Sequence, residues 1–210
     1  MGVTGLIGIG FLILHMAGNL QAFMGQTKIN DYGAMLHGPL NELTWVLRIV
    51  LIVSVILHVT MVYQLTQRSA AARPIGYQKK VPQVSTLASR TMKWGGVLLL
   101  VFIVFHILHF TTETFDPGGW RGMTDTHGNR DVYGNIVASF HIWWVALFYI
   151  VAMVFLGLHL YHGAWSSVRT LGYAKPSGHP LHRKIALAVA AIVWLGFTLI
   201  PVGVIVGLIR

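Results

Sequence analysis

Apolar residues run in five long blocks, over residues 3–24, 45–67, 92–112, 139–166 and 185–209, separated by short polar stretches. Each block is near or above the roughly 20 residues that a helix needs to cross a bilayer. A transmembrane β-barrel would show short segments of alternating hydrophobicity instead, and the sequence has none. The pattern predicts an all-α integral membrane protein: one transmembrane domain over residues 1–210, with five spans. The stretch 114–135 is rich in Gly, Asp and Asn and contains Asp116-Pro117-Gly118-Gly119, so it reads as an external loop with turns. No internal repeat or low-complexity tract interrupts the chain.

Composition sharpens this reading. The chain is 55% hydrophobic and 10% charged, against about 25% charged in soluble domains. Six acidic residues in 210 cannot solvate a globular protein of this size, which excludes a water-soluble enzyme. There is no cysteine, which excludes disulfides, thiolate-bound zinc, iron–sulfur clusters and covalent c-type haem on this chain. A redox cofactor would have to be held by other ligands, and the chain has eleven histidines.

The formal charge of +9 is distributed by loop parity. The loop after the second span holds Arg68, Arg73, Lys79, Lys80, Arg90 and Lys93, and that after the fourth holds Arg169, Lys175, Arg183 and Lys184, both without an acid. The other two loops hold only Lys28, Arg121 and Arg130, set among Asp31, Glu42, Glu113, Asp116, Asp125 and Asp131. Ten basic residues against three is a positive-inside signal. It accounts for the charge without nucleic acid and predicts a cytoplasmic N-terminus and an external C-terminus. The first span lacks the basic leader and A-x-A site of a signal peptide. Because it begins almost at Met1, a cytoplasmic extension is expected to precede it in the native chain.

An ionisable residue inside a span is costly and marks a functional site by default. The first four spans each carry one deep histidine, His15, His58, His106 and His159, and the fifth carries none. At 1.5 Å per residue, His15 and His106 lie about 13 and 10 Å from the outer ends of their spans, and His58 and His159 about 10–14 Å from their inner ends. This predicts an outer pair, His15 with His106, and an inner pair, His58 with His159. Two bis-imidazole sites stacked across the membrane fit a four-helix bundle holding two b-type haems. Small residues share faces with these histidines: Gly8, Gly18 and Asn19 with His15, Ser54 with His58, Ala152 and Gly163 with His159. They would leave room for a flat macrocycle, although they also permit close helix packing.

His109 and His162 each follow a deep histidine by three positions and compete for the ligand role. His106 and His159 are preferred for their depth and level. The other two would then bond a haem propionate, a quinone oxygen or water. No HExxH motif is present, and the four deep histidines do not converge at one depth, which argues against zinc. His37, His127, His141, His179 and His182 read as solvated or interfacial.

The strings GFLILHMAGNL around His15, LIVSVILHVTMVY around His58, GGVLLLVFIVFHILHF around His106 and YIVAMVFLGLHLYHGAWS around His159 resemble the di-haem cytochrome b anchor of succinate:quinone oxidoreductases, the family of succinate dehydrogenase and fumarate reductase. The likeness runs from the first span through the fifth. It departs in the abbreviated N-terminus, since a basic segment usually precedes the first span. The resemblance implies haem ligands at His15, His58, His106 and His159, in a bacterial cytoplasmic membrane. It implies a flavoprotein subunit that oxidises succinate and an iron–sulfur subunit that passes electrons to this anchor, then through two b haems to a quinone, often menaquinone in such anchors. No dicarboxylate chemistry is expected on this chain itself.

A quinone needs a proton donor and acceptor near its haem. The outer candidates are Asp31, His37, Glu42 and Glu113, with Glu113 one and a half to two turns above His106. Arg90 and Lys93, preceding the third span, are candidates to neutralise haem propionates or to contact the iron–sulfur subunit. Rival readings are the cytochrome b anchor of another respiratory enzyme, such as a formate dehydrogenase or hydrogenase, and a non-redox anchor or proton-relaying transporter. A transporter would usually show repeats and broken helices.

Overall fold

The computed structural model describes residues 1–72, 86–173 and 180–210; Arg73, Lys79, Lys80, Lys175 and His179 lie outside the described residues. Apolar composition and the need to satisfy every backbone amide without water make helix the default, and the described chain is helical with no strand beyond a lone Thr124–Arg130 bridge. The elements are α1 (Gly2–Asn19), continued by a 3₁₀ turn over Leu20–Met24, α2 (Gln26–His37), α3 (Asn41–Ala71), α4 (Leu87–His106), continued by a wider π turn over Ile107–Thr111, α5 (Val132–Phe140), α6 (Trp143–Thr170) and α7 (Pro180–Ile205). Five stretches are long and apolar enough to cross a membrane: Gly2–Met24, Asn41–Ala71, Leu87–Thr111, Trp143–Thr170 and Leu181–Ile205. This is an all-α membrane protein.

Helix ends follow from local chemistry. The Thr86 hydroxyl accepts the Ser89 N–H at the start of α4, and the Asp131 carboxylate accepts that of Gly134 at the start of α5. The fifth span stops at Ile205 rather than 209. Gly207, at φ +77°, takes the left-handed turn that lets Leu208 N–H reach Gly203 O at 2.8 Å and its own N–H reach Val204 O at 3.1 Å. The fourth span starts at Trp143 rather than 139, because the chain breaks at His141–Ile142 and the preceding residues belong to α5. Two short helices, α2 and α5, occupy connections expected to be loops.

Packing centres on α6, which is flanked by α7 and α4 and crossed by α1. Val145, Ala146 and Ala152 of α6 are wholly buried, with Met153, Leu156 and Leu160 close to it. Small residues admit large neighbours: Gly157 faces Trp194, Gly95 faces Phe155 and Gly196 receives the Met16 thioether. α3 stands apart, leaning on α1 with α2 beside it, and only its Ser54 is buried. At one end of the bundle α2, α5 and the loop between α4 and α5 form a polar cap; Tyr133 of α5 closes it by accepting the Arg210 N–H and donating to the Arg210 carbonyl. We call this the capped end.

Candidate functional site: two histidine pairs within the bundle

α1 and α4 run toward the capped end while α3 and α6 run away from it, so depth arithmetic brings residues of alternate helices level. His15 of α1 and His106 of α4 have ring centroids 5.8 Å apart, with planes at 79°. His58 of α3 and His159 of α6 have centroids 6.2 Å apart, at 54°. Two imidazoles on opposite sides of one metal ion, each nitrogen about 2 Å from it, put their centroids about 6 Å apart. Both pairs therefore have the span of a bis-imidazole site, and their donor set of two neutral nitrogens is that of a b-type haem. Among the described residues no group of three or more His, Cys, Asp or Glu converges on a metal position.

The surroundings of the pairs fit this group. Phe11 stacks on His15 at 5.2 Å, Phe197 lies 5.7 Å from it, and Phe102 stacks on His106 at 5.8 Å. A side chain built at Gly8 or Gly163 would meet nothing within 4 Å, so these faces have room beside His15 and His159. Gly18 differs, since a Cβ there would meet the Tyr32 ring at 2.8 Å. Its small size seats α2 rather than a ligand. Ala152 is wholly buried in the helix core.

Hydrogen bonds define the orientation of these rings. Thr4 Oγ1 donates to Met1 O at 2.9 Å and lies 3.1 Å from His58 Nδ1. Asn19 Nδ2 donates to His15 O at 2.7 Å and lies 3.3–3.4 Å from both ring nitrogens of His15. His106 Nδ1 is 3.3 Å from the Tyr149 hydroxyl. His159 Nδ1 is buried without a hydrogen-bond partner, an orphaned polar atom of the kind that marks functional positions.

His109 is 1% exposed and both its nitrogens are engaged, Nδ1 with Tyr149 at 2.9 Å and Nε2 with Ser139 at 2.9 Å. It lies beside His106, which shares the Tyr149 hydroxyl with it. His162 is half-buried on α6, one turn further from the capped end than His159. Tyr149, Ser139, Asn135 and Thr4 were not among the residues singled out from sequence. The one available signal was a tyrosine in the middle of an apolar span.

The polar candidates separate at the capped end. Glu113 is paired with Arg130 at 2.6 Å and accepts the Asn135 amide at 3.2 Å. Asp31 is exposed on a cleft of about 170 Å³ shared with Gln21, Lys28, Tyr32 and Met35. His37 is exposed, bonded to Gly33 O at 2.8 Å and 3.3 Å from Arg48 Nη2. Glu42 is exposed at the start of α3, and Arg90 and Lys93 are exposed at the far end of α4. None of these touches a histidine pair directly. No protein-family model matches the chain, and no curated protein or solved structure does so either.

Proposed function

We propose that this chain is the membrane-anchor cytochrome b subunit of a succinate:quinone oxidoreductase, with His15 and His106 holding one haem b and His58 and His159 a second. The observation that carries the reading is the pairing itself: four histidines from four helices, meeting two by two at 5.8 and 6.2 Å and at two levels of one bundle. Haem iron at such sites supplies one-electron exchange across an apolar layer that otherwise blocks it. The chain's own residues hold the imidazoles in place, through Thr4, Asn19 and Tyr149, and keep water out with phenylalanine rings.

In this reading the capped end is external and the basic end meets the iron–sulfur and flavoprotein subunits, with Arg90 and Lys93 on that face. Membrane quinone, menaquinone by the resemblance, is the electron acceptor. Of the acidic candidates Asp31 is preferred for quinone protonation, since it lines an open cleft whereas Glu113 is already engaged with Arg130.

The test is haem per polypeptide, by reduced-minus-oxidised spectra and pyridine haemochrome on the purified complex. Two haems b per chain are expected, with His15→Ala and His58→Ala each losing a different one. Co-purifying flavin and succinate-dependent quinone reduction separate this anchor from those of formate dehydrogenases or hydrogenases. A folded chain with no haem would overturn the proposal.

A further inference from the structure

A continuous polar chain runs from the capped end to His106, and counting its protons gives it a direction. The Glu113 carboxylate accepts from Arg130 Nε at 2.9 Å and from Asn135 Nδ2 at 3.2 Å, so the amide oxygen of Asn135 is turned the other way. That oxygen accepts the Ser139 hydroxyl at 3.0 Å. A hydroxyl has one proton to give, so the 2.9 Å contact between Ser139 and His109 is an Nε2–H donation to Ser139 Oγ. His109 is buried with two neutral oxygens as partners and no carboxylate in hydrogen-bond contact. It is therefore neutral, because an unpaired buried charge is far costlier.

Neutral imidazole protonated at Nε2 is bare at Nδ1, so the Tyr149 hydroxyl donates to His109 at 2.9 Å. Tyr149 then has no proton left for its 3.3 Å contact with His106, and His106 donates from Nδ1–H. The outcome is a single tautomer of His106, with an unprotonated Nε2. We infer that Asn135, Ser139, His109 and Tyr149 form a positioning relay, anchored on Glu113, that holds His106 as the Nδ1–H tautomer and presents Nε2 as the metal-binding nitrogen.

Two further features agree with a built device. The π turn over Ile107–Thr111, where Thr112 N–H reaches back five residues to Ile107 O at 2.9 Å, carries His109 into the bundle; such turns concentrate at functional sites. Glu113 sits at φ +51°, a left-handed backbone for a non-glycine residue, which persists only where the surroundings fix it. The other pair reaches the same result by shorter means. Thr4 gives its proton to Met1 O, so His58 Nδ1–H must donate to Thr4. One histidine of each pair is thus held with Nε2 bare.

The relay's role as a ligand-positioning device rests on the haem reading above, whereas the tautomer does not, and the test separates the two. The full chain is purified in its complex from cells supplied with ¹⁵N-histidine and reduced, so that low-spin ferrous haem is diamagnetic. Nitrogen spectra are then assigned with His106→Gln. Because iron on Nε2 would itself keep the proton on Nδ1, the tautomer is read in His15→Ala, which lacks the haem of this pair. His106 is expected to show a protonated Nδ1 there, and mixed tautomers once Tyr149→Phe is added. Should that variant fail to accumulate, Ser139→Ala breaks the chain two links further out with the same expectation.

Redox titration supplies the second reading. The haem lost in His15→Ala should shift to higher potential in Tyr149→Phe, because a ligand imidazole without an acceptor on Nδ1 is a weaker donor to ferric iron. It should shift by less in His109→Leu, where Tyr149 remains but its oxygen accepts more weakly once its own proton has no acceptor. His109→Gln, which retains an N–H for Ser139 and an oxygen for Tyr149, should restore it, and the other haem should not move. An unprotonated His106 Nδ1 in His15→Ala, or equal shifts of both haems, overturns the relay and leaves the two-haem proposal standing. A preparation without haem overturns that proposal, and the nitrogen spectrum still decides the tautomer.

Discussion

Asp131 collects four donors on one carboxylate: Gln26 Nε2 at 3.1 Å, Asn30 Nδ2 at 3.0 Å, Trp120 Nε1 at 3.1 Å and Gly134 N–H at 3.0 Å. Burial pushes its carboxyl up, and the donors, led by Asn30, outweigh that and hold it below the ordinary value of 3.8. A depressed folded value means that the carboxylate stabilises the cap at neutral pH. The contribution declines as pH falls through the ordinary carboxylate value and is gone below the depressed one. Each hydrogen bond to a charged group contributes about 1.5–3 kcal/mol, so Asp131→Asn should loosen the cap at neutral pH and remove its share of the acid sensitivity. Hydrogen exchange of residues 112–140 at pH 6 and pH 3, native against variant, checks this. Equal protection in both proteins at both pH values would contradict it.

At the scale of elements, α2 is held to α1 through one small residue. A Cβ at Gly18 would lie 2.8–2.9 Å from the Tyr32 ring, so Gly18→Leu should overpack the contact at a cost of about 1–3 kcal/mol. We expect α2 to gain protease sensitivity while α6 and α7 remain protected, and Tyr32→Ala in the same chain to recover most of the loss. This contact also shows where the sequence stops being legible. The five spans are readable because about twenty apolar residues in a row have one physical solution. The level of the histidine pairs is readable because helix rise is constant and the spans alternate in direction. By contrast, α2 buries only Ile29 and Asn30, and so few apolar positions give no periodic signal. The break at His141–Ile142 falls inside an apolar run that gives no warning of it. The relay was hidden for a third reason: Glu113, Asn135, His109 and Tyr149 belong to four different segments, and the turn that brings His109 inward is a widened one that spacing rules for a regular helix do not contain.

Across the whole molecule the acidic residues gather at one end and leave the other purely basic. All six acidic residues, Asp31, Glu42, Glu113, Asp116, Asp125 and Asp131, lie toward the capped end. Arg68, Arg90, Lys93, Arg169, Arg183 and Lys184 lie at the other, where Arg169 and Arg183 sit over the Trp165 ring at 5.3 and 4.8 Å. Basic residues beside an interfacial tryptophan are the usual cytoplasmic border of a membrane bundle. Orientation then decides which histidine pair is nearer to which side: on the proposed orientation, with the basic end inside, His58 and His159 would lie nearer the cytoplasm and His15 and His106 nearer the exterior. Because the chain has no cysteine, single cysteines report accessibility against a silent background. Met123→Cys, exposed in the cap, should react with a membrane-impermeant maleimide on intact cells. Tyr173→Cys, exposed beyond α6, should react only after the membrane is opened. The opposite pattern would invert the bundle and exchange the roles of the two pairs. It would leave their geometry, and the tautomer argument at His106, untouched.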